Sequence, residues 1–193
     1  MAIYSDKHRL VFIHIPKCGG TSVSRWLTNL GAVQRGNKHD GMQHIHFDYL
    51  DYTTLSVVRN PWSRLVSWFH YDTKINAGKV ARGKGKGEYE TQHKICQLGF
   101  DYWLKWGLDY KNTWFKHKTP QSNWIQANPT YLFKLENINE EFKVIQDLVG
   151  CHLPIQKKNT TMHRDYRTYY TKDTINMVAD LYSKDIKRFN YDF

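Results

Sequence analysis

The sequence offers little for covalent or metal cross-linking: it has three cysteines, none of them in a CxxC pair. An odd, unpaired set argues against a disulfide framework or a zinc site, and reads instead as small buried side chains in a reducing compartment. Long apolar runs are absent too. Nothing approaches the ~18 residues needed to cross a bilayer, and Met1–Arg9 is polar with no leader-like core, so a soluble, cytoplasmic chain is expected. Acidic residues are scarce, 18 against 28 basic ones, which leaves a formal net charge of +10. The excess points to an anionic partner, whether a nucleotide, an acidic glycan, a nucleic acid or a lipid surface, without choosing among them. There is no internal repeat, and 193 residues suit one domain, 1–193, with a real core. What the chain has in plenty is aromatic side chains, seven Trp, 13 Tyr and nine Phe, more than a small core needs, so some are expected to line a groove.

The most informative stretch is Pro16-Lys17-Cys18-Gly19-Gly20-Thr21-Ser22. Before it, Leu10 to Ile15 reads as a buried strand. After it, Val23, Trp26, Leu27 and Leu30 fall on one face of a helix that Gly31 can cap. A strand, a Gly-rich turn and a helix make an anion site: glycines let backbone N–H groups converge, the helix N-terminus adds partial positive charge, and Thr21 and Ser22 add hydroxyls. Lys17 supplies the full charge.

Further along, Ala32 to Gly41 reads as a polar connection. In Met42 to Leu50, His44 and His46 occupy alternate positions and face the same way if the piece is extended. Thr53 to Val58 is a second buried strand. It ends at Arg59-Asn60-Pro61, and Pro61 suits the first turn of a helix. Trp62, Leu65, Val66 and Phe69 trace that helix's apolar stripe, opposite Ser63, Ser67, His70 and Lys74. Ala77 to Glu88, rich in Gly and basic residues, reads as a mobile loop. Phe100 to Trp106 is expected to be helical, with an aromatic and basic piece, Trp114 to His117, after it. Tyr131 to Leu135 is a third strand; Ile138, Phe142, Ile145 and Val149 mark a helix closed by Gly150. Lys157 to Thr161 is a basic loop, and Ile175, Val178, Ala179, Tyr182 and Ile186 repeat at the spacing of a final helix. Strands alternating with helices imply an α/β fold, P-loop-like and three-layered, with a central mainly parallel sheet flanked by helices. Its ligand belongs at the carboxyl ends of the strands, where Lys17 and Arg59 can share a crevice.

A triphosphate P-loop needs Lys directly before the Ser/Thr at the helix start. Gly20 stands there instead. No acid ends Thr53 to Val58 to hold Mg²⁺; Arg59 follows it. Cations in that place suggest phosphate chemistry without a metal. FIHIPKCGGTS followed by SVVRNPWSRLVSWFHY resembles the two cofactor-binding signatures of the sulfotransferases that use 3'-phosphoadenosine 5'-phosphosulfate (PAPS), in their carbohydrate branch. HIHFDYL resembles the segment that carries the base in the heparan sulfate 2-O-sulfotransferase group. FKLENI, the NTT loop and DLYSKDIKRFNYDF resemble the C-terminal half of the superfamily.

The resemblance implies that Lys17, Gly19, Gly20, Thr21 and Ser22, with Cys18 in the same loop, bind the 5'-phosphosulfate end. It implies that Arg59 and Ser67 bind the 3'-phosphate, and that Asn159, Thr161 and Arg164 help hold the nucleotide. Paired hydrogen bonds from a guanidinium to a phosphate agree with the Arg59 role. Sulfuryl transfer to a hydroxyl also needs a proton acceptor, and a neutral His suits that near pH 7. His46 is the preferred base; His44 is the second candidate, able to orient His46 or contact the acceptor, and His14 is expected to be structural. The implied reaction is in-line displacement onto a hydroxyl acceptor, a carbohydrate, with an acidic one among the options. Lys17 would stabilise the leaving phosphate, with no metal, no membrane span and no nucleic-acid partner. Two other readings stand beside it: a P-loop-like nucleotide kinase dependent on Mg²⁺ and ATP, and a basic nucleic-acid-binding module with steep salt dependence.

Overall fold

The computed structural model describes residues 2–36, 41–83, 87–109, 119–156 and 164–193. The chain divides into two compact units, one made of Met1–Asn60 with Gln121–Thr160 and the other of Pro61–Pro120 with Thr161–Phe193.

The first unit holds a five-stranded sheet. Strands β1 (Ala2–Ser5) and β2 (Leu10–Ile13) form an antiparallel hairpin in which Ala2 faces Ile13 and Ser5 faces Leu10. The polar opening expected from Met1–Arg9 is therefore corrected. Alternation is hard to see in four residues, but Ala2, Ile3, Tyr4 and Ser5 are all buried, and only the turn 6–9 is polar. Helix α1 (Gly20–Asn29) follows β2, and the presumed connection after it contains a short strand, β3 (Val33–Arg35), antiparallel to β1. Strand β4 (Thr53–Val58) has the expected limits, and β5 is Tyr131–Lys134. The order is β3-β1-β2-β4-β5, with β2, β4 and β5 parallel neighbours. Only β1 runs against the rest, so the sheet is mainly parallel and the fold α/β.

Phe12, Leu55 and Tyr131 stand in one row of the register, and Leu10, Phe12, Leu55, Val57 and Phe133 bury one face of the sheet. Val23, Trp26 and Leu27 of α1 pack on that cluster, with Ile138 of α5 (Ile138–Glu141) and Ile145 of α6 (Lys143–Val149). The single helix expected around Phe142 is broken there in two, and Gly150 ends α6 in the left-handed conformation at φ 68°. Val11, Ile13, Ser56 and Val58 are buried as well, so β2 and β4 are covered on both faces, which explains their unbroken apolar runs.

The second unit is helical: α2 (Pro61–Ala81), α3 (Glu88–Gln97), α4 (Phe100–Leu108), α7 (Lys172–Leu181) and α8 (Ser183–Phe189). Its core joins Trp62, Leu65 and Val66 to Cys96, Phe100, Trp103, Leu104, Val178 and Tyr182. Phe100 meets Phe69 at 5.5 Å and Tyr170 at 4.8 Å between ring centroids. These rings belong to the core of the helical unit. Helix α2 also runs through Ala77–Ala81, so the anticipated Gly/Lys loop begins only after them. Thr171 and Thr174 form a reciprocal capping box at the start of α7. Trp114 to His117 and Lys157 to Thr161 lie outside the described residues.

Candidate functional site

The turn from β2 into α1 uses two left-handed residues, Lys17 at φ 67° and Gly19 at φ 74°. For Lys that conformation costs about 1–2 kcal/mol, so the surroundings must hold it. A Cβ at Gly19 would collide with Leu135 Cδ1 after β5, and one at Gly20 with the ring of His14 at the end of β2. His14 is thus a wall against which the loop lies, the structural role expected of it. With glycine as N-cap, no side chain caps α1, and its first turn contains no acid. The positive pole of the helix is left to interact with an anion. Thr21 is exposed at that pole and Ser22 half-buried.

The loop is fixed by a residue that sequence reading missed. Gln121 is 0% exposed. Its Oε1 accepts from the Arg59 N–H at 2.8 Å and from the Cys18 thiol at 3.0 Å, while its Nε2 donates to the Arg59 carbonyl at 2.8 Å. One carboxamide therefore clamps both backbone groups of Arg59 and ties them to the loop. From there Arg59 Nη1 donates to the Lys17 carbonyl at 3.3 Å. Lys17 and Arg59 come together as their strand-end positions predicted. The Asn60 N–H, next in the chain, is taken by Glu136 Oε1 at 2.8 Å. Gln121 sits in a short 3-10 turn with no periodic pattern around it; the only sequence signal was a polar residue placed just after Pro120. Cys18 is fully buried, and its thiol faces Gln121.

Beside α1 lies a cavity of about 160 Å³ lined by Ser22, Arg25, Trp26, Asn29, Cys151 and Leu153. The Trp26 indole donates to the Leu153 carbonyl at 2.7 Å, which fixes one wall.

The histidine segment is not extended. Met42–His44 and Phe47–Tyr49 are 3-10 turns, and His46 is one of the two extended residues between them. The cause is local pairing: the His44 N–H bonds to the Gly41 carbonyl at 3.0 Å and the Tyr49 N–H to that of His46 at 2.9 Å, leaving no ladder. His44 and His46 consequently do not share a strand face. The first turn is bonded through the Met42 N–H to the Trp124 carbonyl at 2.8 Å, in the chain just after Gln121. The second is held by aromatics: Tyr49 lies 4.7 Å from Tyr4 and 5.1 Å from Tyr52, with the Arg35 guanidinium 5.0 Å above its ring. Tyr52 donates to Asp6 at 3.3 Å; desolvation, then the Asp6 charge, pushes its phenol above the usual range.

His46 Nδ1 is 3.0 Å from Asp48 Oδ2 and 3.5 Å from the Asp48 N–H. It cannot donate to one and accept from the other. The carboxylate is nearer, so a proton on Nδ1 satisfies it and leaves Nε2 as the basic nitrogen. The side chain of His46 is 57% exposed.

Ser67, in α2 of the helical unit, is 7% exposed, although the expected polar stripe would put it in solvent. Arg164 lies over the Tyr169 ring at 5.3 Å. Asn159 and Thr161 fall outside the described residues. Among the described residues no cluster of His, Cys, Asp and Glu could hold a metal ion, and no helix is long and apolar enough to cross a membrane.

A family model described as the sulfotransferase family matches residues 1–192. Comparison with curated proteins finds no match.

Proposed function

The chain belongs to the sulfotransferase family, and from that premise we propose that it moves a sulfuryl group from PAPS to a hydroxyl of a carbohydrate. The observation that carries the donor assignment is the clamp of Gln121 on Arg59 and Cys18, which presents Lys17, Arg59 and the uncapped start of α1 together. Every contributor there is a hydrogen-bond donor or a cation, a set suited to a phosphosulfate. PAPS supplies the sulfuryl group on a phosphate leaving group. Lys17 and the N–H groups of Gly19 to Ser22 would hold that end and stabilise charge growing on the departing oxygen. Arg59 would bind the 3'-phosphate, and the cavity that shares Ser22 with the loop would take the nucleoside. The resemblance also implies Ser67, beside Arg59, for the 3'-phosphate, and Asn159, Thr161 and Arg164 as further ligands of the nucleotide. A family model running through both compact units supports reading residues 1–193 as one domain.

His46 is the base in this account. Nε2 takes the proton of the acceptor hydroxyl as its oxygen bonds to sulfur and the bond from sulfur to the phosphate oxygen breaks, and Asp48 holds the ring in the tautomer that allows it. A second reading gives the role to His44, whose turn is bonded to the chain that carries Gln121. The test is transfer of labelled sulfate from PAPS to glycosides in the presence of a chelator. Label in the sugar supports the proposal; no label there, with phosphate transfer from ATP once Mg²⁺ replaces the chelator, would replace it with the kinase reading.

A further inference from the structure

We infer that the acceptor is an uncharged sugar ring, laid with its apolar face on Phe47 and Leu50 and screened by Asp48 against carboxylates and sulfates. The inference rests on the base assignment just made and goes beyond it to the class of substrate. Phe47 and Leu50 are 71% and 73% exposed, the two most exposed large apolar side chains among the described residues. They stand three apart at one 3-10 turn, where such positions eclipse, so both belong to one face. That face begins at the base: the rings of Phe47 and His46 are 4.1 Å apart between centroids. An aromatic face is what the C–H side of a pyranose packs on.

Charge decides which sugar. The chain carries +10 overall, yet residues 41–52 contain Asp48 and Asp51 and no Lys or Arg. The two arginines that reach this segment are already paired, Arg9 with Asp51 and Arg35 with Asp6, the latter at 2.6 Å. Asp48 lies against His46 itself. An anionic group on the reacting ring would meet that carboxylate and no unpaired cation among the described residues of the segment. The basic excess therefore serves the nucleotide and the rest of the surface, and the acceptor side is neutral to acidic.

The test uses two acceptors that differ only by a carboxylate, 4-nitrophenyl β-D-glucopyranoside and 4-nitrophenyl β-D-glucuronide, with PAPS as donor. The expected result is a kcat/KM about tenfold higher for the glucoside, the size of one like-charge contact at an exposed site. Asp48→Asn should bring that ratio towards one whatever it does to the absolute rate. Phe47→Ala should raise KM for the glucoside by roughly tenfold, and Phe47→Tyr should restore it. Equal or better use of the glucuronide overturns the inference, as does a ratio indifferent to Asp48→Asn or a KM indifferent to Phe47→Ala. Titration with 3'-phosphoadenosine 5'-phosphate on the same protein separates the two levels. Nucleotide binding without sulfation of either glycoside overturns the acceptor inference alone, and no nucleotide binding overturns the donor assignment beneath it.

Discussion

Replacing Gln121 by Met keeps the volume of a fully buried side chain and removes every hydrogen bond that it makes. The Arg59 N–H and carbonyl each lose a partner at 2.8 Å, and the Cys18 thiol loses one at 3.0 Å. A backbone group left buried and unsatisfied costs about 1–3 kcal/mol. Arg59 is only partly buried and the thiol is a weak donor, so the loss should be about 2–4 kcal/mol. For a chain of this length each kcal/mol moves the melting temperature by roughly 2–4 °C, which predicts a fall of about 5–15 °C. The guanidinium of Arg59 would also lose its fixed reach to the Lys17 carbonyl, so affinity for 3'-phosphoadenosine 5'-phosphate should drop by roughly tenfold. Thermal melts and calorimetric titration read the two effects separately. A Gln121→Met protein that melts within about 2 °C of the parent and binds the nucleotide equally well would refute the clamp as the organiser of the site.

Lys17→Gly should leave the melting temperature unchanged or raise it by a few degrees, because Gly relieves the left-handed strain at φ 67°. The same variant should transfer sulfate at least ~100-fold more slowly; normal transfer would remove Lys17 from the leaving-group role. His46→Ala should slow transfer by about 10²- to 10⁴-fold with nucleotide affinity intact, and His44→Ala should have a far smaller effect. The reverse pattern would move the base to His44. In the helical unit, burial and then the nearby Asp72 push the Cys96 thiol up from 9.0 to about 11, against hydrogen bonds from Thr73 and Asn76. A thiol whose folded pKa is raised adds stability that is whole below its unfolded value and lost as pH rises towards the folded one. Urea unfolding should therefore show a stability loss between about pH 9 and 11 that Cys96→Ala lacks; the same slope in both proteins would contradict it.

Where local chemistry decides structure, the residues announce it. Thr53 to Val58 is a buried parallel strand with no choice of face, so its limits are legible, and Pro61 marks the start of α2 because its ring sets φ for a first helical turn. The strand end and the Gly-rich turn likewise bring Lys17 beside Arg59. What tertiary pairing decides is not written locally. Ala2–Ser5 is too short to show a period and becomes a strand only because Leu10–Ile13 is there to pair with. His44 and His46 alternate in the sequence, yet the segment has no partner for a ladder and turns upon itself. Phe100 and Trp103 are core because α2 and α7 cover them, a partnership that the local sequence does not name. Gln121 acts through a side chain imitating a backbone partner, a role no spacing rule reveals.

The central claim is a phosphosulfate site that works without metal or triphosphate, and calorimetric titration of the folded protein with 3'-phosphoadenosine 5'-phosphate in the presence of a chelator tests it most directly. The account predicts binding at one site, weakened by Lys17→Ala and by Arg59→Ala. No heat of binding from folded protein, or binding that appears only with Mg²⁺ and ATP, would contradict it.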